Sequence, residues 1–355
     1  MKVIAVEPGA GDPVIEERPR PDPGPGEVLV RTLRVGVDGT DHEVVAGVHG
    51  EPPAGRTSMV LGHEAVGVVE DANGTDLAEG AVVVPTVRRP AAEATSHFER
   101  GEADMAPEGT YVERGIVGAD GFMAEYFTSA PEYLVEIPPE LAPLGFLIEP
   151  ISITEKAIEH AYAARSAFEW APESALVLGN GSLGLLTLAM LETVYDYDRT
   201  YCLGRRDRPD PSIDLVESLG STYVDSRETP VPEIPAVHEP ADLIYEATGY
   251  ARHAFEAIDA LAPNGVAALL GVPDDWSFDV EGGRLHRELV LSNKALVGSV
   301  NSNRRHFETA VGTLAELPET FVDALVTGVF DLEDAERAFA DDDTTIKTAV
   351  EFADT

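Results

Sequence analysis

The chain has 355 residues, of which 64 are Asp or Glu and only 25 are Lys or Arg, so its formal net charge is −39. This length suggests about two domains at ~150 residues each, and a hydrophobic content of 44% is enough to form real cores. So acidic a chain offers no basic patch for a phosphate backbone, which argues against nucleic acid as a partner.

The acidic residues are spread along the whole chain and do not form a tail. At ordinary ionic strength such a surface repels itself and destabilises the compact state, whereas molar salt shortens the Debye length to ~3 Å. The composition therefore favours adaptation to a very salty cytoplasm. Because the sequence has neither an apolar run of ~18 residues nor the pattern of a signal peptide, we expect a soluble cytoplasmic protein without membrane contact.

The first ~150 residues predict strands and loops. Val28–Val37 is rich in β-formers, Met59–Glu70 is an apolar run with a Gly-His-Glu turn, and Ala81–Val87 is a short Val-rich strand. Between Arg88 and Gly109 the hydrophobic pattern gives way to a small, polar, acidic stretch, which predicts an exposed loop.

From Glu173 onwards, short buried strands alternate with amphipathic helices. The predicted strands are Ala175–Leu178, Thr200–Leu203, Thr222–Val224, Leu243–Ala247 and Gly265–Leu270, and the predicted helices are Leu185–Val194, Ile213–Leu219 and Ala251–Leu261. This alternation predicts an α/β fold with a parallel sheet covered on both faces. After about Asn293 the mixed pattern returns, and Thr345–Phe352 is a closing strand that suggests a return of the chain to the first domain.

A glycine-rich loop follows the first strand of this α/β region. It consists of Gly179, Asn180, Gly181, Ser182, Leu183 and Gly184. Between a strand and a helix, glycines at this spacing allow a tight turn, a close approach to a pyrophosphate and close packing of the helix on the sheet. The helix N-terminus adds N–H donors and the positive end of its dipole. The loop therefore predicts dinucleotide binding, the alternative being a glycine-rich turn without a ligand.

The end of the second strand indicates which cofactor is bound. NAD sites usually have an Asp or Glu there for the ribose hydroxyl, but this chain has Arg205 and Arg206. Guanidinium groups bind a phosphate in a bidentate way, so we expect NADP, with NAD as the less preferred cofactor. The alternative is that these arginines form ion pairs with Asp207 or a neighbouring acid.

Three separated segments of the first domain could meet around a metal ion. They are Gly36–Asp41, Leu61–Gly67 and Ile148–Pro150, and they carry Asp, His and Glu side chains. Taken singly, each has a structural explanation, since a His in an apolar run is commonly a core residue and an Asp before Gly is commonly part of a turn. Cys202 is the single cysteine, which excludes an internal disulfide and a metal site built from cysteines.

Taken together, these segments resemble the zinc-dependent medium-chain dehydrogenase/reductase family in the family's own order, over nearly the whole chain. The matching motifs are Gly39-Thr40-Asp41, Gly62–Gly67, Gly121–Tyr126, Glu149-Pro150 and Gly179–Gly184. Within that family, Glu113–Gly118, Arg205-Arg206 and Gly298–Asn301 resemble the archaeal glucose dehydrogenases.

The resemblance implies a GroES-like, β-rich catalytic domain of residues 1–155 and 293–355 and a Rossmann domain, a doubly wound parallel sheet, of residues 156–292. It also implies a catalytic zinc with the ligands Asp38, His63, Glu64 and Glu149. Glu64 directly follows His63, and neighbouring residues on an extended backbone point apart, so both can be ligands at once only with a local turn. The resemblance implies that Glu64 lies beside the metal and exchanges on and off it with water or substrate. The family commonly has Cys where this chain has Asp38, which should weaken zinc selectivity. Many relatives also hold a structural zinc with four cysteines, which this chain cannot do, so we expect one metal per chain.

The implied reaction oxidises an aldose such as glucose at C1 to the lactone, with hydride transfer to NADP. Thr40 and Glu64 are the expected catalytic residues. The expected sugar ligands are Thr40, Glu113, Glu149 and Asn301, and the expected neighbours of the nicotinamide are Leu270, Gly271, Val272, Ser299, Val300 and Asn301. The structural alternatives are a turn-capping role for Thr40, a solvated acid for Glu113 and a loop cap for Asn301.

Two other functions stay open at this point. One is a zinc dehydrogenase acting on an alcohol, a polyol or threonine, and the other is a metal-free reductase or a binding protein without catalysis. The resemblance further implies a homodimer or a homotetramer.

Overall fold

A computed structural model describes residues 1–340, 342 and 344–355. Its backbone divides into two compact units. The first comprises Met1–Ser152, Asn301–Ala315 and Val326–Thr355, and the second comprises Ile153–Val300 and Glu316–Leu325.

The strands and helices are numbered in chain order. The strands are β1 Lys2–Val6, β2 Val14–Glu17, β3 Val28–Val37, β4 Met59–Val60, β5 Glu64–Asp71, β6 Val82–Pro85, β7 Arg88–Pro90, β8 Tyr111–Arg114, β9 Gly118–Ala119, β10 Tyr126–Ser129, β11 Leu134–Glu136, β12 Ser174–Leu178, β13 Arg199–Gly204, β14 Thr222–Asp225, β15 Ala241–Glu246, β16 Leu261–Leu269, β17 Ala295–Gly298, β18 Val326–Asp331 and β19 Lys347–Glu351. The helices are α1 Gly39–Ala46, α2 Ser96–Glu99, α3 Ile148–Arg165, α4 Ser182–Thr193, α5 Pro211–Ser218, α6 Ile234–Val237, α7 His253–Ala260, α8 Gly282–Leu291, α9 Arg304–Glu316 and α10 Glu319–Leu325. Short 3₁₀ segments are Ala103–Met105, Pro131–Tyr133, Pro139–Leu147, Val231–Glu233 and Leu332–Arg337. Among the described helices, none is both long and apolar enough to cross a membrane.

The first unit is built around β3, whose Val- and Leu-rich sequence is buried along most of its length. Its main sheet has the order β11-β6-β5-β3-β19-β18, with β10 also paired to β3. The C-terminal strand β19 runs antiparallel to β3, with Thr348 opposite Val37. Two smaller sheets, β2-β1-β4 and β7-β8-β9, complete the unit. This topology places the C-terminal end of β3 beside the N-terminal ends of β5 and β19.

The second unit contains a parallel sheet with the order β14-β13-β12-β15-β16-β17. Strand β12 is buried at every residue, as expected for a central strand of a parallel sheet covered on both faces. The strand order reverses between β12 and β15, the switch point at which open α/β sheets bind their ligands beyond the carboxyl ends of the strands. The alternating strands and helices expected from the sequence are therefore present, in the order of a Rossmann sheet.

Two segments differ from the sequence-based expectation. Residues 88–109, expected to be an exposed loop, contain β7, α2 and a 3₁₀ turn, and Arg88 and Asp104 are buried. The expectation was wrong because buried charged residues were interpreted as solvated ones. Residues 295–298 form β17, which pairs in parallel with β16, so this strand lies in the second unit although the sequence assigned it to the first domain. The remaining domain limits stay a prediction.

Candidate functional site

Asp38 lies where β3 ends and α1 begins, and it caps that helix. Its Oδ1 accepts a hydrogen bond from the backbone N–H of Asp41 at 3.1 Å, while Asp41 Oδ2 accepts one from the N–H of Asp38 at 3.2 Å, which completes a capping box. Asp41 Oδ1 also accepts from the N–H of Gly62 at 3.1 Å. One buried carboxyl group therefore joins the segment that carries Asp38 to the segment that carries His63.

His63 and Glu64 converge on Asp38. The three side chains offer ligand atoms that all lie within 4.8 Å of one another, and His63 Nε2 lies 3.5 Å from Asp38 Oδ2. The sequence suggested that adjacent residues would point apart, but Gly62 adopts φ +86° immediately before them. The chain bends at His63 and β5 begins only at Glu64, so the two residues do not lie on one extended strand and both side chains reach the same cluster.

Lys347 is a buried member of this cluster that the sequence analysis did not identify. It is 1% exposed, and its Nζ forms an ion pair with the Glu64 carboxylate and donates a hydrogen bond to the carbonyl of Val37 at 2.9 Å. Strand β19 starts at Lys347, and its pairing with β3 brings the ammonium group to Glu64. The sequence offered one signal that could have identified Lys347, namely that the chain has only four lysines.

Replacing Lys347 with methionine is expected to destabilise the metal-free protein by about 3 kcal/mol, because Glu64 would be left as a buried charge without a partner. Lys2 provides a matched control, since it also pairs with a glutamate, Glu333, but with 43% and 69% of the side chains exposed. We expect Lys2→Met to change stability far less, because ion pairs between exposed side chains contribute little. Denaturant unfolding in molar KCl measures both values. Equal effects would contradict the stabilising role of the buried pair.

The electrostatics of the cluster indicate a site for a cation. Burial raises the pKa of Glu149 to about 8 and that of Asp41 to about 7, with added repulsion from neighbouring carboxylates. Burial also opposes ionisation of Asp38, but the adjacent His63 outweighs it and holds the pKa of Asp38 below its usual range. A bound divalent cation would stabilise the ionised forms of carboxyl groups that lie this close together.

The donor atoms fit zinc, which prefers His nitrogen and carboxylate oxygen when thiolates are absent. His63 Nδ1 is buried and has no hydrogen-bond partner among the described residues. Glu149, in the first turn of α3, is 5% exposed. It does not belong to the group of three whose ligand atoms lie within 4.8 Å, but it is close enough for Glu64, Asp38 and His63 to affect its pKa.

The other expected catalytic and sugar-binding residues of the first unit have defined surroundings. Thr40 is the second residue of α1 and is half-buried, and the helix is capped by Asp38 rather than by Thr40. Glu113 and Asn301 are each 9% exposed, and Asn301 Nδ2 donates a hydrogen bond to Glu113 Oε1 at 3.2 Å. Glu113 is therefore not a solvated surface acid, and Asn301 interacts with it directly.

The glycine-rich loop lies in the second unit at the carboxyl end of β12. Gly181 is the N-cap of α4, and an added Cβ there would meet no atom within 4 Å, which leaves open space above the helix N-terminus. A Cβ on Gly184 would collide with the carbonyl oxygen of Gly179, so only glycine allows the first turn of α4 to pack against the loop. The side chain of Asn180 donates to Ser212 Oγ at 2.7 Å, and a Cβ on Gly204 would lie 2.6 Å from Asn180 Oδ1.

Arg205 and Arg206 are exposed just beyond β13. The N–H of Arg206 donates a hydrogen bond to the hydroxyl of Tyr223 at 2.8 Å. Asp207, the acid that the sequence offered as their partner, instead pairs with Arg227 at 2.8 Å. Of the partners that the sequence offered, Asp207 therefore pairs with another arginine.

The residues expected around the nicotinamide follow the carboxyl ends of β16 and β17. They are Leu270, Gly271, Val272, Ser299 and Val300. Gly271 packs closely against Gly249, while Val272 and Val300 are 72% and 54% exposed. Ser299 is buried, and its Oγ has no hydrogen-bond partner in the described part of the chain. All five lie at the edge of the sheet at which such folds bind their ligands.

A β-rich unit with a buried cluster of His and carboxylates, in one chain with a Rossmann unit and its glycine-rich loop, defines the class of zinc-type medium-chain dehydrogenases. Residues 24–139 match the alcohol dehydrogenase GroES-like domain, and residues 142–352 match the glucose dehydrogenase C-terminus. The second match covers more than half of the chain, which therefore belongs to the glucose dehydrogenase family of these enzymes. The predicted family and fold class are confirmed.

Two similar proteins and one solved structure span nearly the whole chain. Glucose 1-dehydrogenase 1 of Haloterrigena turkmenica is 71% identical over 363 residues, covering 99% of this chain and 100% of that protein. Glucose 1-dehydrogenase of Haloferax mediterranei is 65% identical over 356 residues and 99% of both chains. The solved structure of the Haloferax mediterranei glucose dehydrogenase in complex with NADP, Zn and gluconolactone matches with a TM-score of 0.98 and 65% identity, covering 100% of both chains.

Proposed function

We propose that this chain oxidises D-glucose, or a related aldose, at C1 to the lactone and reduces NADP⁺, with NAD⁺ as a less preferred acceptor and one catalytic Zn²⁺ per chain. The observation that carries the proposal is the cluster of half-buried Asp38 with buried His63 and Glu64. Full-length relatives that are glucose 1-dehydrogenases support the substrate. A relative that holds NADP, Zn and gluconolactone together supports the cofactor, the metal and the product.

We assign Asp38, His63 and Glu149 as the zinc ligands, with Glu64 beside the metal. Two carboxylates and a neutral histidine balance the charge of a divalent ion and leave a coordination position open, as catalytic zinc sites do. Bound zinc supplies Lewis acidity, which lowers the pKa of the C1 hydroxyl group of the sugar. Lys347 holds the Glu64 carboxylate on the side of β19 and Val37. From there Glu64 would exchange with water or substrate at the bound metal.

Thr40 is assigned to the proton transfer. Its hydroxyl group follows the proposed ligand Asp38 by two residues and is not needed for the helix cap, which Asp38 makes. Thr40 Oγ1 accepts the proton of the C1 hydroxyl and passes its own proton towards solvent. The net reaction moves this proton away from the sugar and moves a hydride from C1 to NADP⁺, so the sugar loses two electrons and becomes a lactone.

Sugar recognition is assigned to Thr40, Glu113, Glu149 and Asn301. A polyhydroxylated substrate requires several polar partners, because each buried hydroxyl left unpaired costs ~1–3 kcal/mol. Glu113 and Asn301 lie in contact with each other and are largely buried, so few rotamers are open to them. A fixed pair of this kind favours one arrangement of hydroxyl groups over its epimers.

NADP⁺ is assigned to the second unit. The open N-terminus of α4 at Gly181 is suited to the pyrophosphate, and the guanidinium groups of Arg205 and Arg206 are suited to the 2′-phosphate. The residues after β16 and β17, with Asn301, are assigned to the nicotinamide end. The proposed role of Arg205 and Arg206 is supported by their exposure just beyond β13.

The double variant Arg205→Asp/Arg206→Ala is expected to raise the KM for NADP⁺ about a hundredfold. A charge-assisted hydrogen bond contributes ~1.5–3 kcal/mol, and the new carboxylate repels the phosphate. The KM for NAD⁺ should change only slightly. Arg208→Ala is the matched control, because Arg208 lies in the same exposed loop but pairs with Glu217. Equal changes in KM for both cofactors would refute the assignment.

A substrate panel tests the proposed function. With NADP⁺ in molar KCl, we expect the highest kcat/KM for D-glucose or a close aldose, a lactone that hydroxylamine traps, and loss of turnover after zinc removal. Faster oxidation of an alcohol, a polyol or threonine would favour the second candidate, which the shared family fold supports. Turnover that survives complete zinc removal would favour a metal-free reductase.

We also place the protein in the cytoplasm, as a homodimer or homotetramer. The acidic composition supports a cytoplasm of high ionic strength. Light scattering in molar KCl distinguishes a monomer from either assembly.

A further inference from the structure

Arg88 is a buried arginine to which neither the sequence analysis nor the proposed reaction assigned a role. It opens β7 and lies directly opposite Glu113 on β8. Its Nε donates a hydrogen bond to Glu113 Oε1 at 2.9 Å, and its Nη1 donates one to the carbonyl oxygen of Asp104 at 2.7 Å. The guanidinium carbon lies 3.7 Å from the ring centroid of Tyr111. These contacts fix both the position and the plane of the guanidinium group.

The two oxygens of Glu113 have different surroundings. Oε1 accepts hydrogen bonds from Arg88 and from Asn301 Nδ2, at 2.9 and 3.2 Å. No residue in the described ranges donates a hydrogen bond to Oε2, and 12% of the Glu113 side chain remains exposed. Two donors therefore hold Oε1 in place, while Oε2 can still accept a hydrogen bond.

The contacts of the neighbouring Arg89 differ in kind. Arg89 is also largely buried and lies over an aromatic ring, that of Tyr133, at 4.2 Å. Its hydrogen bonds go to the carbonyls of Thr86 and Arg88 and to the hydroxyls of Thr86 and Ser129. Arg89 thus holds backbone and hydroxyl groups together, whereas Arg88 holds a carboxylate that the proposed function assigns to the sugar.

We propose that Arg88 is a positioning residue for sugar recognition: it fixes Glu113 Oε1 so that Oε2 accepts a hydrogen bond from one hydroxyl group of the sugar. This inference rests on the proposed function. A lysine cannot replace the arginine, because its single ammonium group lacks the planar fork that reaches Glu113 and the Asp104 carbonyl at once. In a variant without that fork, the Glu113 carboxylate rotates and the preference for the hydroxyl is lost.

Deoxy sugars provide the test. Rates are measured for glucose and for 2-deoxy-, 3-deoxy-, 4-deoxy- and 6-deoxyglucose with the zinc-loaded enzyme, NADP⁺ and molar KCl. For the wild type we expect one deoxy sugar to lose about 10- to 100-fold in kcat/KM, as removal of a hydrogen bond to a charged group predicts. Arg88→Lys should raise the KM for glucose by a similar factor, leave the KM for NADP⁺ unchanged and abolish most of the discrimination against that one sugar.

Further variants separate positioning from a merely structural role. Arg89→Lys should keep the wild-type pattern over the deoxy sugars, and Glu113→Gln should lose the same discrimination as Arg88→Lys. If Arg88→Lys does not fold, Tyr111→Leu removes the ring beneath the guanidinium and should weaken the same discrimination.

The outcomes are distinct. A wild type that oxidises none of these sugars would refute the proposed function. A wild type that discriminates, with Arg88→Lys or Tyr111→Leu discriminating equally well, would overturn the role of Arg88 alone. A uniform loss over all sugars would also overturn it, because a structural defect does not select one hydroxyl.

Discussion

Replacing His63 with alanine is expected to lower kcat for glucose about a thousandfold and to leave the protein without stoichiometric zinc. His63 is the nitrogen donor of the cluster, and the remaining donors are carboxylates that bind zinc less selectively. Loss of the Lewis acid removes several kcal/mol of charge stabilisation, and about 4 kcal/mol corresponds to about 10³ in rate. NADPH binding should persist, since the glycine-rich loop belongs to the other unit.

The measurement combines initial rates with metal analysis and a fluorescence titration with NADPH. His42→Ala is the control, since His42 is exposed on α1, close in sequence to Asp38. It should retain one zinc per chain and nearly full activity. A His63→Ala protein with stoichiometric zinc and wild-type kcat would contradict the ligand assignment. Full activity of the wild type after complete chelation would contradict the zinc mechanism itself.

The thermal midpoint should rise by about 10–20 °C between about 0.1 M and 3 M KCl. The chain carries a formal net charge of −39, and its self-repulsion acts over ~10 Å at 0.1 M salt but only ~3 Å at 1 M. If screening adds about 5 kcal/mol to the free energy of unfolding, the midpoint rises by about 10–20 °C, at ~2–4 °C per kcal/mol. NADP⁺ should raise the midpoint most at low salt, because it binds only the folded state.

A charge variant separates screening from general salt effects on apolar burial. Glu79, Glu108, Glu136 and Glu140 are exposed. Changing all four to lysine moves the formal net charge from −39 to −31, since each change replaces one negative charge with one positive charge. Over the same salt series, the thermal midpoint of this variant should then rise less steeply with KCl than that of the wild type. A wild-type midpoint that is flat or falls with salt would falsify the halophilic interpretation.

Those features of the site that depend on contiguous residues were predictable from the sequence. The glycine-rich loop and the arginines after β13 belong to one strand–loop–helix–strand segment, so their positions follow from local structure. The proposed ligands Asp38, His63 and Glu149 are far apart in the chain, and only the resemblance to a family, not their spacing, brought them together. The sequence showed that His63 and Glu64 could reach one cluster only with a local turn, and only the structure shows that the chain bends there, directly after Gly62 at φ +86°.

By itself, the sequence determined the acidic composition, the α/β class, the glycine-rich loop between strand and helix and the family, because composition and local motifs carry that information directly. Only the tertiary structure revealed that Lys347 neutralises Glu64 across 283 residues of sequence, and that Arg88 faces Glu113 across paired strands. In the sequence, both bases were single charges among many acids, and nothing local distinguished them from surface residues. Strand register decided their roles, because the pairing of β19 with β3 and of β7 with β8 buries each base next to a carboxylate. An ion pair is stronger in the buried interior, where the dielectric constant is low, than at the surface.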